Sequence, residues 1–503
     1  MGIKKNSMRW KYGYPILFAL AYSQDALFSS NQNTKFISGL ALAKYRNIAA
    51  DWMAVATDPF PIFSTVLKWQ YQWLGLYFGI HFSFCLIVAI YGIAGVWLAK
   101  SMLGGTAQKK KILWVFSVIW LLIHTVIIRN VFLDVFPEGL AGQDLLGPYY
   151  QPSVFGVLLL VAIALYSSRR LMSAAFCIVL ASAFHPAYII SSILVAVGLT
   201  VLPANKQYQI SLQKRLFFLL PIAVILTAYA LWIADRLTFG DPLLRNKAHQ
   251  LLAEIRIPHH TNPFLWSYYR TTMFFVVGLA ASWIGRKQLI GQLLFVLLVL
   301  IAMAIFVTLV SNNPTVAIVA PWRVSVFLAP ISWIIVITAL AKWSIEKVKK
   351  IPEYFFKRFQ KATIILMLLA GSIGIATLFL NYQQKKQQSY YGICRFLEVY
   401  HTSGNQYLVP LYQKSIRLEA GVPVYVTWKS HPTKDNEFLA WYKRIEIAAA
   451  IYEKPLQSAE ASNLLKKNAI THIIWPKSKG NFPFSNIAQQ AYADRYYSLW
   501  EIK

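Results

Sequence analysis

Acidic residues are scarce in this chain: 20 Asp and Glu stand against 49 Lys and Arg in 503 residues. Inside the long apolar runs they are nearly absent, Asp25 near the end of the first run being the exception. Pumps and proton-coupled carriers place ionisable groups at membrane depth, so this scarcity argues against them. No internal repeat and no low-complexity tract is visible, which counts against the inverted-repeat transporters. Cysteine is scarce too. Cys85, Cys177 and Cys394 offer no paired framework, two of them lying in apolar runs, and disulfides play no part in the expected fold. Charged residues make up only 14% of the chain and hydrophobic ones 57%. The formal net charge of +29 invites a nucleic-acid reading. We reject nucleic acid as a partner, because the cations sit mainly in short connections between apolar runs, where the insertion rule and anionic lipid account for them.

What the chain has in abundance is apolar runs of membrane-spanning length, roughly 20 residues each. Candidate spans are Tyr12 to Phe28, Leu74 to Ala99, Ile112 to Phe132, Tyr150 to Tyr166, Leu171 to Phe184, Ala187 to Leu202, Leu216 to Ile233, Thr271 to Ile284, Leu289 to Val310, Trp322 to Ala341 and Thr363 to Leu380. That is about eleven. Seventeen Trp and 28 Tyr are available for interfacial belts. Basic clusters fall on alternate connections: Lys4, Lys5, Arg9 and Lys11; Lys109 to Lys111; Arg169 and Arg170; Lys206, Lys214 and Arg215; Arg286 and Lys287; and the patch Lys342 to Lys361. By the positive-inside rule the N-terminus is cytoplasmic and the tail after Leu380 lies outside. The first run also has features of a signal peptide, a basic start and small residues near Ala21, but the later loops keep their assignment either way.

Long segments then fall outside: 29–73, 133–149, 234–269 and the tail 381–503. The first mixes amphipathic stretches such as Phe36 to Tyr45 with Asp58-Pro59-Phe60-Pro61, and can lie as helices on the membrane surface. The second carries Asp134, Glu138 and Asp144 and no Lys or Arg. The tail has strand-like runs at Gln406 to Val409, Val422 to Trp428, His472 to Trp475 and Tyr496 to Ile502, and helix-like runs at Asn436 to Tyr452 and Ser458 to Lys467. Its length suits a separate small α/β domain. The expected fold is therefore an α-helical multi-pass membrane domain, 1–380, followed by an extracytoplasmic α/β domain, 381–503.

Polar chemistry collects on the outer side: Asp25, Asp51, Asp58, Asp144, His185, Arg256, His259, His260 and Arg323. A site between a membrane bundle and an outer domain would draw on that set. Asp51 can serve as general base with Trp52 offering an apolar face to a sugar ring, or it can cap a helix beside an interfacial Trp. Asp58 before Pro59 starts a turn. His259 and His260 can bind a phosphate or a metal, or transfer protons; in extended backbone they would point opposite ways, which disfavours one shared metal. His185-Pro186 breaks an apolar run, as a site residue or simply a helix end. Arg323 can grip a phosphate with its fork or snorkel to the interface. In the tail, Trp428-Lys429-Ser430-His431-Pro432, Asp435 and Trp441-Tyr442-Lys443-Arg444 form the densest polar and aromatic cluster, either a site or domain packing.

The arrangement resembles the GT-C superfamily of integral membrane glycosyltransferases, and within it a set of poorly characterised bacterial multi-pass proteins. The residues that carry the resemblance are Asn31-Gln32, Asp51-Trp52, Gln151-Pro152-Ser153 with Phe155-Gly156, His185-Pro186, Arg256 through His260, Arg323 and the tail cluster through Arg444. The resemblance implies a sugar transferase of the bacterial inner membrane that takes a polyprenyl-phosphate-linked donor and a glycan, lipid or protein acceptor on the outer face. Asp51 or Asp25 would be catalytic. Arg256, His259, His260, Arg323, His185, Trp52, Asp144, Asn31, Gln32, Lys429 and Arg444 would bind substrate. GT-C enzymes of this layout place an acid just after the first span, whereas Ser30-Asn31-Gln32-Asn33 holds none. Either Asp25 or Asp51 takes over that role, or the architecture is kept without glycosyl transfer. A divalent metal is compatible with the pattern but not demanded by it. Two other classes remain: a non-catalytic assembly protein of envelope polysaccharide, and a lipid flippase or transporter.

Overall fold

The computed structural model describes residues 4–131, 138–202, 210–238, 240–311, 313–348 and 352–503. Asp134 and Lys206, which entered the sidedness argument, lie outside them. Each candidate span overlaps a helix: Lys4–Ala21, Leu76–Met102, Lys109–Ile123, Val157–Ser167, Leu171–Phe184, Ile189–Val201, Leu212–Leu237, Tyr268–Ile284, Leu289–Ser311, Ser325–Lys347 and Glu353–Lys386. A helix closes its own backbone hydrogen bonds, which is what an apolar surrounding requires. Among the described residues, Leu76–Met102, Leu212–Leu237, Leu289–Ser311, Pro314–Lys347 and Glu353–Lys386 are long and apolar enough to cross a membrane, and three further apolar helices are shorter. Large side chains such as Phe217, Leu220 and Phe306 stand exposed on them. Apolar surface of that extent is stable against lipid and not against water, so the chain is an integral membrane protein.

Several helix boundaries differ from the expected ones, among them the first helix, which ends at Ala21 rather than Phe28. The third run breaks after Ile123 and resumes as Val126–Val131. At the break the Thr125 hydroxyl donates to the Leu122 carbonyl, in competition with the helix ladder. The fourth helix begins only at Val157, because Pro152–Gly156 forms a tighter 3-10 turn.

The chain forms two compact units. One comprises Met1–Gln24, His81–Ile233 and His249–Leu378; its core is apolar, with Phe84, Trp120, Ile163, Leu293 and Phe327 fully buried. The other gathers Asp25–Ile80, Ala234–Ala248 and Phe379–Lys503. Its mixed sheet is made of β1 (Tyr407–Leu408), β2 (His472–Pro476), β3 (Ala488–Ala493) and β4 (Tyr497–Ile502), in the order β1-β2-β4-β3. β1 and β2 run parallel and the other pairs antiparallel. Helices Tyr391–Tyr400, Asp435–Glu453 and Ser458–Lys467 complete the tail. The run Val422 to Trp428 makes only a single bridge, between Val424 and Tyr407. Pro423 has no N–H, and the Val424 N–H donates instead to Asp51 Oδ2 at 2.8 Å.

The first long connecting segment is part of this second unit. Phe36, Ile37 and Leu40 are buried in it, so the amphipathic stretch Phe36 to Tyr45 turns its apolar face to a protein core. Tyr45 donates to the Leu418 carbonyl, Ser430 to the Asn33 carbonyl (2.9 Å) and the Thr57 hydroxyl to Glu437 (2.8 Å).

Candidate active site

In the first unit, the segment Glu138-Gly139-Leu140-Ala141-Gly142-Gln143-Asp144 is short, glycine-rich and closely held. Gly139 donates to the Gln143 carbonyl at 2.8 Å and closes a turn in which Ala141 has a left-handed φ of 61°. For alanine that conformation costs on the order of 1 kcal/mol and persists only where the surroundings impose it. They do so here. The Leu140 N–H donates to Ser325 Oγ (2.8 Å), and a Cβ on Gly139 would lie 2.7 Å from both Ser325 Oγ and the Val326 nitrogen. Further along, the Tyr22 hydroxyl donates to the Leu146 carbonyl at 2.5 Å.

Cationic side chains converge on this segment from separate elements. Ser267 caps Tyr268–Ile284, placing Arg270 in its first turn, where Arg270 pairs with Glu138 at 2.5 Å. Arg323, on the 3-10 turn Pro321–Val324 that follows left-handed Ala320, donates to Gln143 Oε1 at 3.4 Å. Arg129, on Val126–Val131, lies over the Tyr22 ring at 4.7 Å. Its Nη1 and the Gln143 Nε2 are buried with no hydrogen-bond partner among the described residues. Buried polar atoms of this kind are rare in folded proteins and call for an explanation.

Asp144 sits amid these groups, partly exposed, and accepts no hydrogen bond from a described residue. Loss of solvent and the nearby Glu138 carboxylate push its carboxyl up to about 7, against a weaker downward pull from Arg129 and Arg270. A carboxyl near neutrality can take up a proton, and guanidinium groups near it can pair with an anion.

His260 Nδ1 lies 3.1 Å from the Ala141 carbonyl, and the rings of His259 and His260 are 4.1 Å apart. Extended backbone would separate them; Pro258–Thr261 is a helical turn and brings them together. Arg256 ends the preceding π-turn, and burial draws its guanidinium down to about 10. His185 is buried at the end of Leu171–Phe184, its ring 4.8 Å from that of Tyr188.

The other candidate residues belong to the second unit. Asp51 is 0% exposed. Its Oδ1 accepts from the Met53 N–H (2.8 Å), capping Trp52–Val55, and its Oδ2 accepts from Arg417 Nε (2.8 Å) as well as Val424. Both oxygens are thus committed inside the fold, and this geometry offers an acceptor hydroxyl no access to them. Arg444 lies between the rings of Trp52 and Tyr425, at 4.6 and 4.7 Å. Asp25 accepts from Asn381 at 3.4 Å, and the Lys429 carbonyl accepts from Thr34. Asn31 precedes the short helix Gln32–Lys35, and Gln32 is buried. The tail cluster is largely packing: Trp441 is fully buried and donates to the Thr427 carbonyl.

Sequence reasoning missed Arg129, Gln143 and Arg270. The signal for Arg129 was present: it is a charge inside an expected span, and ionisable groups at that depth are expensive enough to flag a functional site. Among the described residues no group of three or more His, Cys, Asp or Glu is placed to hold a metal ion.

The model of a domain of unknown function, DUF6798, matches residues 388–448. No curated protein matches the chain. Among solved structures, the crystal structure of the Archaeoglobus fulgidus oligosaccharyltransferase tethered with an acceptor peptide containing the NVT sequon is similar at a TM-score of 0.43 and 11% identity, covering 98% of this chain and 74% of that chain.

Proposed function

We propose that this protein is a membrane glycosyltransferase that moves a sugar from a polyprenyl-phosphate donor to a hydroxyl acceptor at the outer face of the membrane, with Asp144 as general base. The observation that carries the reading is the setting of Asp144: a carboxyl pushed up to about 7, without hydrogen-bond donors among the described residues, near Arg129 and Arg270 and next in the chain to Gln143, which accepts from Arg323. The donor class comes from the sequence resemblance. In the step itself the acceptor oxygen attacks the anomeric carbon, the bond from that carbon to the phosphate oxygen breaks, and the lipid phosphate leaves with the electron pair. Asp144 takes the acceptor proton. The leaving phosphate gains charge as the bond breaks, and the guanidinium groups of Arg129 and Arg323 stabilise it. Burial makes those contacts stronger than they are in water. Asp51 keeps a structural duty in this reading.

The test is Asp144→Asn in the full-length protein reconstituted with a short-chain polyprenyl-phosphate sugar, product being followed by mass spectrometry. Donor binding retained with transfer abolished supports the proposal. Transfer at the wild-type rate sinks it and favours the non-catalytic assembly reading.

A further inference from the structure

The helix Pro61–Leu74 is apolar on two faces, and only one of them serves its own unit. Phe63 and Leu67 are buried, Leu67 lying against Gly39. Trp69 and Trp73 are 44% and 75% exposed, with Ile62 exposed beside them, and the two indole rings stack 5.8 Å apart with 5° between their planes. At about 100° per residue, Ile62, Trp69 and Trp73 share one line along the helix and Leu67 lies roughly 140° away. An apolar face that no core requires marks an interaction surface.

The local geometry says what covers it. Gly75, with φ of 73°, ends this helix, and the chain turns directly into Leu76–Met102, long and apolar enough to cross a membrane. A Cβ on Gly79 would lie 2.7 Å from the Gln70 carbonyl oxygen and 3.2 Å from Leu74 Cβ, so glycine lets the first turn of the spanning helix rest on the last turns of Pro61–Leu74. The tryptophans are therefore held at the level where the spanning helix begins, and Tyr77 and Phe78 of its first turn are exposed as well. That is the depth at which Trp and Tyr gather in membrane proteins.

We propose that Pro61–Leu74 lies on the bilayer, with Ile62, Trp69 and Trp73 seated in the boundary between headgroups and acyl chains. Tyr77 and Phe78, exposed just after Gly75, extend the apolar surface into the first turn of the spanning helix.

The test uses nitroxide labels on Trp69→Cys and Trp73→Cys, in full-length protein with Cys85, Cys177 and Cys394 replaced by serine, reconstituted in phosphatidylcholine and phosphatidylglycerol vesicles. Power saturation compares access by oxygen, which prefers lipid, with access by a water-soluble nickel chelate. Phe306→Cys supplies the lipid reference and Ser403→Cys the water reference. The expected oxygen-to-nickel ratio at both tryptophan positions lies severalfold above that of Ser403→Cys and near that of Phe306→Cys. A ratio equal to the Ser403→Cys value overturns the proposal, and so does shielding from both reagents, which would place a protein partner or a second copy on this face. Ile62→Cys carries the same expectation, so a folding defect at one tryptophan leaves the test decisive.

Discussion

Asp51 and Asp144 are carboxylates in connecting segments, the first expected to be catalytic and the second to bind substrate, and the two units of the molecule surround them in opposite ways. Asp51 is enclosed, with its oxygens taken by Arg417, Val424 and Met53. Asp144 remains partly exposed, receives no hydrogen bond from a described residue, and is pushed up to about 7. A carboxylate whose lone pairs are filled by fixed donors fixes the chain around it. One with reduced contact to water and no compensating donors holds its proton more tightly. The difference lies in the donor count around each group, not in the residue.

Breaking the comparison at Asp144 has the largest expected effect. Asp144→Asn should lower transfer by roughly 100-fold or more, the usual range for losing a general base, with melting behaviour little changed. Loss of thermal stability in step with activity would move Asp144 to the structural side. At Asp51 the expectation is reversed. Asp51→Ala leaves Arg417 buried without its partner and should destabilise the unit by about 3 kcal/mol, with faster amide exchange at Val424. A variant that folds as tightly as the wild type but transfers nothing would restore Asp51 as the base.

A finer test sets the neighbours of Asp144 against one another. The wild-type rate should rise with pH through about 7, as the base loses its proton. Glu138→Gln removes a repulsion and should move that rise to lower pH; Arg129→Gln removes an attraction and should move it higher. Shifts in the same direction would disconnect the profile from Asp144. Linkage gives a second readout. Between the ordinary carboxylate range and about 7 the folded chain binds this proton more tightly than the unfolded chain, so stability falls as pH rises through that window, and Asp144→Asn should flatten the slope. The smallest effect is expected at Arg444→Lys, which keeps the charge but gives up planar stacking between Trp52 and Tyr425; about 1 kcal/mol of stability should be lost, measured by thermal melting.

Much of the helical layout was legible beforehand, because a run of apolar residues long enough to cross a bilayer has few other uses and its hydrogen bonds are local. The tail helices Asp435–Glu453 and Ser458–Lys467 and strands β2 and β4 were legible for the same reason, through periodicity. β3, Ala488–Ala493, escaped notice because its residues are mostly polar and partly exposed, and only its pairing with β4 makes it a strand.

The candidate residues divide between the two units. Asp144, His185, Arg256, His259, His260 and Arg323 belong to one unit, while Asp25, Asn31, Gln32, Asp51, Trp52, Lys429 and Arg444 belong to the other. The chemistry available to each residue, its charge, its fork of donors and its ability to take a proton, was already in the amino-acid order. The partners were not, because Asp51 meets Arg417 across 366 positions and Arg270 meets Glu138 across 132. Lipid-facing helices follow from composition, which is local. Whether a carboxylate is filled or left open depends on donors that only folding brings within hydrogen-bond reach.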